Sequence, residues 1–171
     1  MTPRVHIRPL DPHTERHLAA DVYARCADYV SMETGEPPGE THVTEFFEDV
    51  PPGRTLDDAL KLGIFDDDRA AIGLIDIFRG YRKPGDWYIG LLMIDPAVRG
   101  QGIGRWVLEW IAGAARADGA TRLLLCVLEE NGRARAFWEK QGFTLHRVTP
   151  PWTSGRKTHI RFELQRPVVQ L

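Results

Sequence analysis

The sequence predicts one mixed α/β domain. In some segments apolar residues recur three or four positions apart, and in others they alternate with polar residues or form short continuous runs. The two kinds of segment alternate in the middle of the chain, whereas both ends are rich in strand-like segments. A chain of 171 residues, 43% of them hydrophobic, is long enough to bury one core. We therefore expect residues 1–171 to form a single domain.

The N-terminal half is predicted to contain a strand, two helices and a hairpin. Residues 4–8 alternate apolar and polar side chains, which is typical of a half-buried strand. Residues 11–29 and 41–50 carry apolar side chains at helical spacing, which predicts two amphipathic helices. Residues 61–65 and 71–78 are apolar runs on either side of a polar turn, and this arrangement predicts a hairpin.

The C-terminal half is predicted to alternate strands and helices before it closes with strands. Residues 87–94 are almost continuously apolar, as expected for a strand that is covered on both faces. A helical pattern covers residues 102–117, and Asn131 is a suitable N-cap for a further helix that ends near Gln141. The remaining predicted strands are residues 123–128, 144–148 and 159–164.

Composition and charge exclude several classes of protein. The net charge is only −2, and no run approaches the roughly 18 apolar residues that a membrane helix requires. The first residues lack the apolar core of a secretory signal, and two cysteines fit a reducing compartment. Basic residues are not interleaved with aromatic ones, and the six histidines show no metal-ligand spacing. We expect a cytoplasmic protein without membrane, nucleic-acid or metal partners.

A glycine-rich segment follows the predicted strand 87–94 and opens the next helix. Its glycines alternate with other residues at Gly100, Gly102 and Gly104, so backbone amides can converge on one point and bind an anion. A dinucleotide-binding loop would need glycine or alanine at Arg105, and a P-loop would need lysine there, followed by serine or threonine. The segment therefore fits neither of these phosphate-binding motifs.

Two segments together resemble the GNAT superfamily of N-acetyltransferases. Residues 99–104, Arg-Gly-Gln-Gly-Ile-Gly, match the Arg/Gln-x-x-Gly-x-Gly/Ala signature of that family. Residues 131–143 are similar to the Asn-x-x-Ala-x-x-Phe-Tyr-x-Lys-x-Gly-Phe segment that follows it in family members. The resemblance implies a central mixed sheet of six to seven strands, with splayed central strands and about four flanking helices.

The resemblance also implies acetyl-coenzyme A as the co-substrate. Its pyrophosphate is expected on the amides of the glycine-rich turn, and its pantetheine arm along the free edge of the strand 87–94. Gly90 suits the bulge that family members have in this strand. The residues expected to bind the co-substrate are Leu92, Met93, Ile94, Arg99, Gly100, Gln101, Gly102, Ile103, Gly104, Arg105, Asn131 and Trp138.

The implied reaction is direct transfer of an acetyl group to a neutral amine, which needs a base to accept the amine proton. Glu129 and Asp76 are the candidates for this base, with Glu130 and Asp86 as further carboxylates near the predicted site. The family's usual acid is the tyrosine of a Phe-Tyr pair, and Trp138 stands at that position here. The indole cannot serve as an acid, so Tyr88 or water is the candidate donor to the departing thiolate.

The acceptor is predicted to be a cationic amine of a small molecule or peptide. Residues 28–49 contain seven acidic residues and no lysine or arginine, and in the family this region covers the acceptor pocket. The first 98 residues carry 18 acidic and 10 basic side chains, whereas residues 99–171 carry 6 and 12. The residues expected to contact the acceptor are Asp28, Tyr29 and Glu33.

Other interpretations of the sequence remain open. The loss of the usual tyrosine is compatible with a non-catalytic sensor or scaffold that binds acyl-coenzyme A. Transfer to a hydroxyl group, or of a longer acyl chain, also fits the motifs. Apolar residues near the C-terminus, Val168, Val169 and Leu171, could pair strands of two copies in a homodimer.

Overall fold

The computed structural model describes residues 4–170. Within them the strands are β1 (His6–Pro9), β2 (Ala59–Phe65), β3 (Ala71–Arg79), β4 (Asp86–Ile94), β5 (Arg122–Leu128), β6 (Thr144–Val148), β7 (Trp152–Ser154), β8 (Lys157–His159) and β9 (Arg161–Pro167). Seven of them form one sheet in the order β1-β2-β3-β4-β5-β9-β6. Neighbours are antiparallel except β4 and β5, which run parallel. The predicted mixed sheet is confirmed.

Residues 4–170 contain five α-helices, one more than the number expected. They are α1 (Arg16–Arg25), α2 (Ala27–Thr34), α3 (Glu40–Glu48), α4 (Ile103–Ala117) and α5 (Gly132–Lys140). The additional helix arises because the predicted helix 11–29 is divided at Cys26, whose ψ of 30° lies outside helical geometry. Apolar spacing continues across this break, which is why the sequence alone predicts one helix.

Helices cover the sheet on both faces. Helices α4 and α5 pack on one face, in a core that includes Val107, Ile111, Trp138, Ile77 and Leu125. Helices α1, α2 and α3 build a second core on the other face, over β3 and β4. Its members include Val22, Val30, Phe46, Leu74 and Met93. We call these two sides the α4 face and the α1 face.

The central strands separate halfway along β4. Strand β4 pairs with β3 over nearly its full length, but its pairing with β5 ends at Ile89 and Leu125. The register of β3 against β4 shifts at the same place, because Asp76 faces Leu91 and Ile77 faces Ile89, so that Gly90 is the extra residue of a bulge. The predicted splay and the predicted bulge are both present.

A buried ion pair holds the closed end of this gap together. The Asp86 carboxylate is fully buried at the start of β4 and accepts hydrogen bonds from Nε and Nη2 of Arg122 on β5, at 3.0 and 2.7 Å. Two parallel hydrogen bonds fix the relative position of the strands as well as adding energy. The strands are therefore pinned at one end and open at the other.

The C-terminal segment differs from the prediction. Strands β7 and β8 form a separate hairpin where the sequence predicts a loop, and the predicted strand 159–164 begins at Arg161. The hairpin docks on the end of α2, where the Arg156 amide donates to the Thr34 carbonyl at 2.8 Å. Val168 is buried instead of exposed. Leu171 lies outside the described residues, and a homodimer stays a prediction.

No helix among residues 4–170 combines the length and the apolar character that crossing a membrane requires.

Candidate active site

The turn between β4 and α4 has the geometry of an anion site. Gly100 and Gly102 adopt φ angles of +77° and +83°, which L side chains rarely adopt. Helix α4 begins directly after Gly102 and leaves its first amides without intrahelical acceptors. A Cβ atom at Gly100 or Gly102 would meet nothing within 4 Å, so open space lies beside the turn. These residues fit a bound phosphate group.

Gly104 has a different purpose from the other two glycines. A Cβ atom there would lie 3.2 Å from Cζ of Phe137 on α5, so this glycine permits α5 to approach the start of α4 closely. Phe137 also contacts Trp138, with ring centroids 5.0 Å apart. The two signature segments thus meet in space through an aromatic contact that sequence reasoning did not predict.

Arg99 and Asp28 were assigned to different ligands by the sequence, but the structure joins them to each other. Nη1 of Arg99 lies 2.6 Å from Oδ2 of Asp28, and its Nε donates to the Ile94 carbonyl at 2.8 Å. The hydrogen bond from Arg99 holds the pKa of Asp28 below its usual value. Arg99 therefore fastens α2 to the end of β4, and the Asp28 carboxylate is already neutralised by a cation.

The other residues expected at the co-substrate site lie around the gap. Leu92, Met93 and Ile94 are on the part of β4 that β5 leaves unpaired. Oδ1 of Asn131 accepts from the Ala134 amide at 3.1 Å, which leaves the Asn131 amide nitrogen as a donor for a ligand. Gln101 and Arg105 are exposed at the turn, whereas Ile103 and Trp138 are buried in the core on the α4 face.

Asp76 is the carboxylate best placed for proton transfer. It is 7% exposed on β3, directly before the bulge, and a Cβ atom at Gly90 would lie 3.6 Å from its Oδ2. Burial raises the pKa of Asp76 to about 7, although the neighbouring ammonium of Lys61 favours the charged form. Lys61 Nζ donates to Oδ2 at 3.0 Å and lies 3.0 Å from Oδ1 as well, while Oδ1 is buried and accepts no hydrogen bond of good geometry from a described residue. Asp76 is thus a buried carboxylate with one ammonium partner and an incompletely satisfied oxygen.

The other candidate carboxylates occupy less suitable positions. Glu129 is exposed beyond the end of β5. Glu130 forms an ion pair with Lys157 at 2.6 Å, and Asp86 is committed to Arg122. The sequence does not predict which of these carboxylates is best suited to be the base, because the burial and the partners of each are set by residues distant in sequence.

Tyr88 lies on the same face as Asp76, two residues before Gly90. Burial, first of all, and the nearby Cys126 thiol raise the pKa of Tyr88 above its ordinary value. Its ring also contacts Tyr81, with centroids 4.8 Å apart. The hydroxyl therefore keeps its proton at neutral pH and is a weaker acid than an ordinary tyrosine; it lies on the paired part of β4, next to where the gap begins.

Most of the acidic residues between 28 and 49 are paired with arginine residues. Beyond Asp28, these pairs join Glu36 to Arg156, and both Glu40 and Glu48 to Arg16. Three arginines from elsewhere in the chain thus offset part of the charge of the seven carboxylates, while Glu33, Glu45 and Asp49 form no ion pair with a described residue. The basis for a cationic acceptor is therefore narrowed from the whole segment to its unpaired carboxylates.

Glu33 differs from the other acidic residues because its hydrogen-bond donors are hydroxyl groups. It accepts from the Tyr29 hydroxyl at 2.5 Å and from the Ser154 hydroxyl at 3.2 Å. Burial and the charge of Glu33 raise the pKa of Tyr29 well above its usual value. Tyr29 and Glu33, which the sequence assigned to the acceptor, are thus brought together.

Further residues that sequence reasoning missed complete this region. Tyr23 on α1 has its pKa raised by burial and by the nearby carboxylates of Glu33, Asp76 and Glu45. Tyr23 and Tyr88 are both close enough to Tyr29 to influence its pKa. A cluster of carboxylates and phenols therefore lies on the α1 face beside the Gly90 bulge. Tyr23 was assigned only to an apolar helix face, and no local motif marks it.

Among residues 4–170, no three His, Cys, Asp or Glu side chains form a group that could hold a metal ion.

The family of this chain follows from a match over the segment that contains the candidate site. Residues 23–143 match the model of the acetyltransferase (GNAT) family. The chain belongs to this family. The matched segment contains Asp76, the bulged strand, the glycine-rich turn and the segment that follows Asn131. The resemblance predicted from the sequence is confirmed, and the prediction of an N-acetyltransferase is supported.

Two mycothiol acetyltransferases are similar to part of this GNAT chain. The protein from Beutenbergia cavernae is 34% identical over 92 residues, which are 54% of this chain and 31% of that protein. The protein from Geodermatophilus obscurus is 36% identical over 77 residues, or 45% of this chain and 24% of that protein. The chain thus matches less than a third of the length of these relatives.

Solved structures of the same architecture cover nearly the whole GNAT chain. An acetyltransferase from Thermus thermophilus is 25% identical, with a TM-score of 0.73 over 96% of this chain and 97% of that one. Spermidine N-acetyltransferase from Vibrio cholerae, in complex with CoA and spermine, is 15% identical, with a TM-score of 0.70 over 96% of each chain. At that identity the second likeness establishes the fold alone.

Proposed function

We propose that this GNAT chain transfers the acetyl group of acetyl-coenzyme A directly to a primary amine of a small molecule or peptide. The observation that carries the proposal is the Asp76 carboxylate, with a pKa raised to about 7, beside the strand bulge at the point where the gap begins. A base poised near the working pH is what an amine acceptor requires, because only the neutral amine can attack.

The proposed site for acetyl-coenzyme A combines the turn and the gap. Amides of residues 100–105 at the start of α4 would hold the pyrophosphate, and the unpaired edge of β4 at Leu92, Met93 and Ile94 would bind the pantetheine amides. The bound co-substrate supplies an activated acetyl thioester. The Vibrio cholerae protein, which shares this fold, was solved in complex with CoA and spermine.

Asp76 is proposed as the base and Tyr88 as the acid. Asp76 accepts one proton from the acceptor ammonium, and the neutral nitrogen then forms a bond to the acetyl carbon as the carbon–sulfur bond breaks. The nitrogen loses its second proton to water, which balances the proton taken up by the sulfur. The Tyr88 hydroxyl, or water, supplies a proton to the departing thiolate, whose intrinsic pKa near 8.5 also lets it leave unaided. Strand amides at Leu92 and Met93 are proposed to stabilise charge on the carbonyl oxygen.

The ammonium end of the acceptor is proposed to bind near Glu33 and Tyr29. Unlike Asp28, the Glu33 carboxylate forms no ion pair with a described basic residue, and it lies close to Tyr23 and Tyr29. It therefore remains available to attract a cation in a partly buried setting, where screening by water is reduced.

Release of free thiol in the presence of an amine panel tests the proposed function. We expect thiol release from acetyl-coenzyme A that depends on the amine and is matched by formation of an acetamide. Tight binding of coenzyme A without release on any amine would favour the non-catalytic sensor instead.

The pH dependence of the reaction should follow the Asp76 carboxyl group. Below its pKa of about 7 the carboxyl is protonated and cannot accept a proton, so kcat/KM should fall by about tenfold per pH unit as the pH drops. Above this pH Asp76 is ionised, so a further rise in pH should cause no further increase in kcat/KM through this group. A profile that is flat between pH 5.5 and 8 would contradict the assignment of the base.

A substitution at Gly102 should weaken binding of coenzyme A. At φ +83° an alanine is strained by about 1–2 kcal/mol, so Gly102→Ala should displace the amides and lower affinity by about tenfold or more in calorimetry. Gly113→Ala is the matched control, because Gly113 is in the same helix with nothing within 4 Å of a Cβ atom. Equal affinity of the two variants would argue against this turn as the phosphate site.

A further inference from the structure

A row of basic side chains extends from the proposed active site along the α1 face of the sheet. Strand register places Cys126 opposite Glu163 and Leu128 opposite Arg161, and Glu163 is also opposite Arg147 of β6. Side chains of paired residues lie on the same face of a sheet. Cys126 and Arg161 are both close enough to Tyr88 to influence its pKa, so the row begins at the proposed acid.

Basic groups outnumber acidic ones in this row. Glu163 is 1% exposed and is held by two guanidinium groups, with Arg82 Nη2 at 2.6 Å from Oε2 and Arg147 Nε at 3.1 Å from Oε1. His146 Nε2 lies 3.8 Å from the same carboxylate. Two arginines on one carboxylate leave a net positive charge beside Arg161.

Arg161 itself forms no ion pair or side-chain hydrogen bond with any residue among 4–170, and its Nε is buried without an acceptor. The guanidinium group lies over the Trp152 ring, with Cζ 4.1 Å from the ring centroid. A buried donor of a charged group without an acceptor is costly, and arginine suits planar recognition of a carboxylate. An arginine held on a flat ring but not paired is therefore ready to bind an anion.

Arg161 is separated from the proposed phosphate site by the sheet. The turn at residues 100–105 begins α4, which packs on the α4 face, whereas Arg161 shares the α1 face with Glu163 and Cys126. The anion that binds Arg161 is therefore expected on the acceptor and not on coenzyme A.

We propose that the acceptor is zwitterionic, with its amine at Asp76 and Glu33 and a carboxylate bound by Arg161. This inference rests on the proposed acetyl transfer and specifies its substrate class. The excess of arginine beside Glu163 stabilises the negative charge of the acceptor's carboxylate. The carboxylates of Asp76 and Glu33, on the other side of Tyr88, stabilise the acceptor's ammonium group. A purely cationic acceptor would place nothing on Arg161.

Matched pairs of acceptors test this inference. The probes are free L-amino acids and the carboxamide of each one, which differ in the negative charge and in the basicity of the amine, so kcat/KM is compared per concentration of neutral amine. For the best acceptors we expect kcat/KM to be about 10- to 100-fold higher for the acid than for its amide, the range of a charge-assisted hydrogen bond. Arg161→Gln should abolish this preference, and Arg161→Lys should keep part of it.

Arg156→Gln is the control, because this arginine is 79% exposed and pairs with Glu36 on the surface. The Arg156→Gln variant should prefer acids over amides to the same extent as the unmodified protein. Calorimetric titration with the same acids and amides, with coenzyme A present, gives a second readout that needs no turnover. Equal use and equal binding of acids and amides would overturn the inference while leaving acetyl transfer intact. If the protein bound the acids more tightly than the amides but released no thiol with any of them, the proposed function would be contradicted and the inference about Arg161 would stand.

Discussion

Asp76→Asn should lower kcat by about 100- to 10,000-fold, the usual contribution of a general base. Asparagine keeps the shape of the side chain but cannot accept the amine proton, and Lys61 then loses its negative partner 3.0 Å away. The affinity for coenzyme A should stay the same, because Asp76 lies on β3 and not at the turn. Steady-state kinetics and calorimetry on the same preparation measure the two quantities.

Two controls separate catalysis from folding in this experiment. Glu129→Gln should leave kcat within about twofold, because its exposed carboxylate takes no part in the proposed proton transfer.

Because the pKa of Asp76 is higher in the folded than in the unfolded chain, this group favours folding at low pH, and that contribution is lost as the pH rises towards 7. Asp76→Asn removes this charge but also leaves the buried Lys61 ammonium without its partner, so the melting temperature of the variant is measured alongside kcat. A kcat close to that of the unmodified protein would exclude Asp76 as the base.

Asp86→Asn should reduce the free energy of unfolding by about 3 kcal/mol or more. The substitution leaves Arg122 without its buried anion, and breaking a buried ion pair from one side is among the most destabilising changes in a protein. Since small proteins are stable by only about 5–15 kcal/mol, this is a large fraction of the total. Urea denaturation followed by tryptophan fluorescence measures the change.

Glu139→Gln is the matched control for that experiment. It breaks the ion pair with Arg135, which lies on the surface of α5 with its partner four residues away. Such pairs contribute about 0.3–0.5 kcal/mol, so stability should hardly change. If the two substitutions had equal effects, the Asp86–Arg122 pair would not be what holds the closed end of the gap.

The sequence predicts the parts of the fold that depend on local pattern. The strand 87–94, the glycine-rich turn and the Asn131 cap each lie within a few consecutive residues, and the structure contains all three. The division of the first helix at Cys26 and the hairpin β7–β8 were not predicted. Both involve distant contacts, since the Cys26 thiol reaches the Ile94 carbonyl and the hairpin docks on α2.

The candidate site was predictable only where it coincides with a motif. Arg99 and Asp28 are 71 positions apart, so nothing local reveals that they neutralise each other. Asp76 could be named as a candidate from the sequence, but its burial, its raised pKa and its pairing with Lys61 follow from tertiary packing. Arg161 carries no sequence signal at all, because the absence of a partner is a property of the folded chain.

A crystal structure of the protein with coenzyme A is the most direct test of the central claim. We expect the diphosphate on the amides at the start of α4, the pantetheine arm between β4 and β5, and the sulfur beside Gly90 and Asp76. A diphosphate bound elsewhere, or a pantetheine arm that leaves the gap empty, would contradict it.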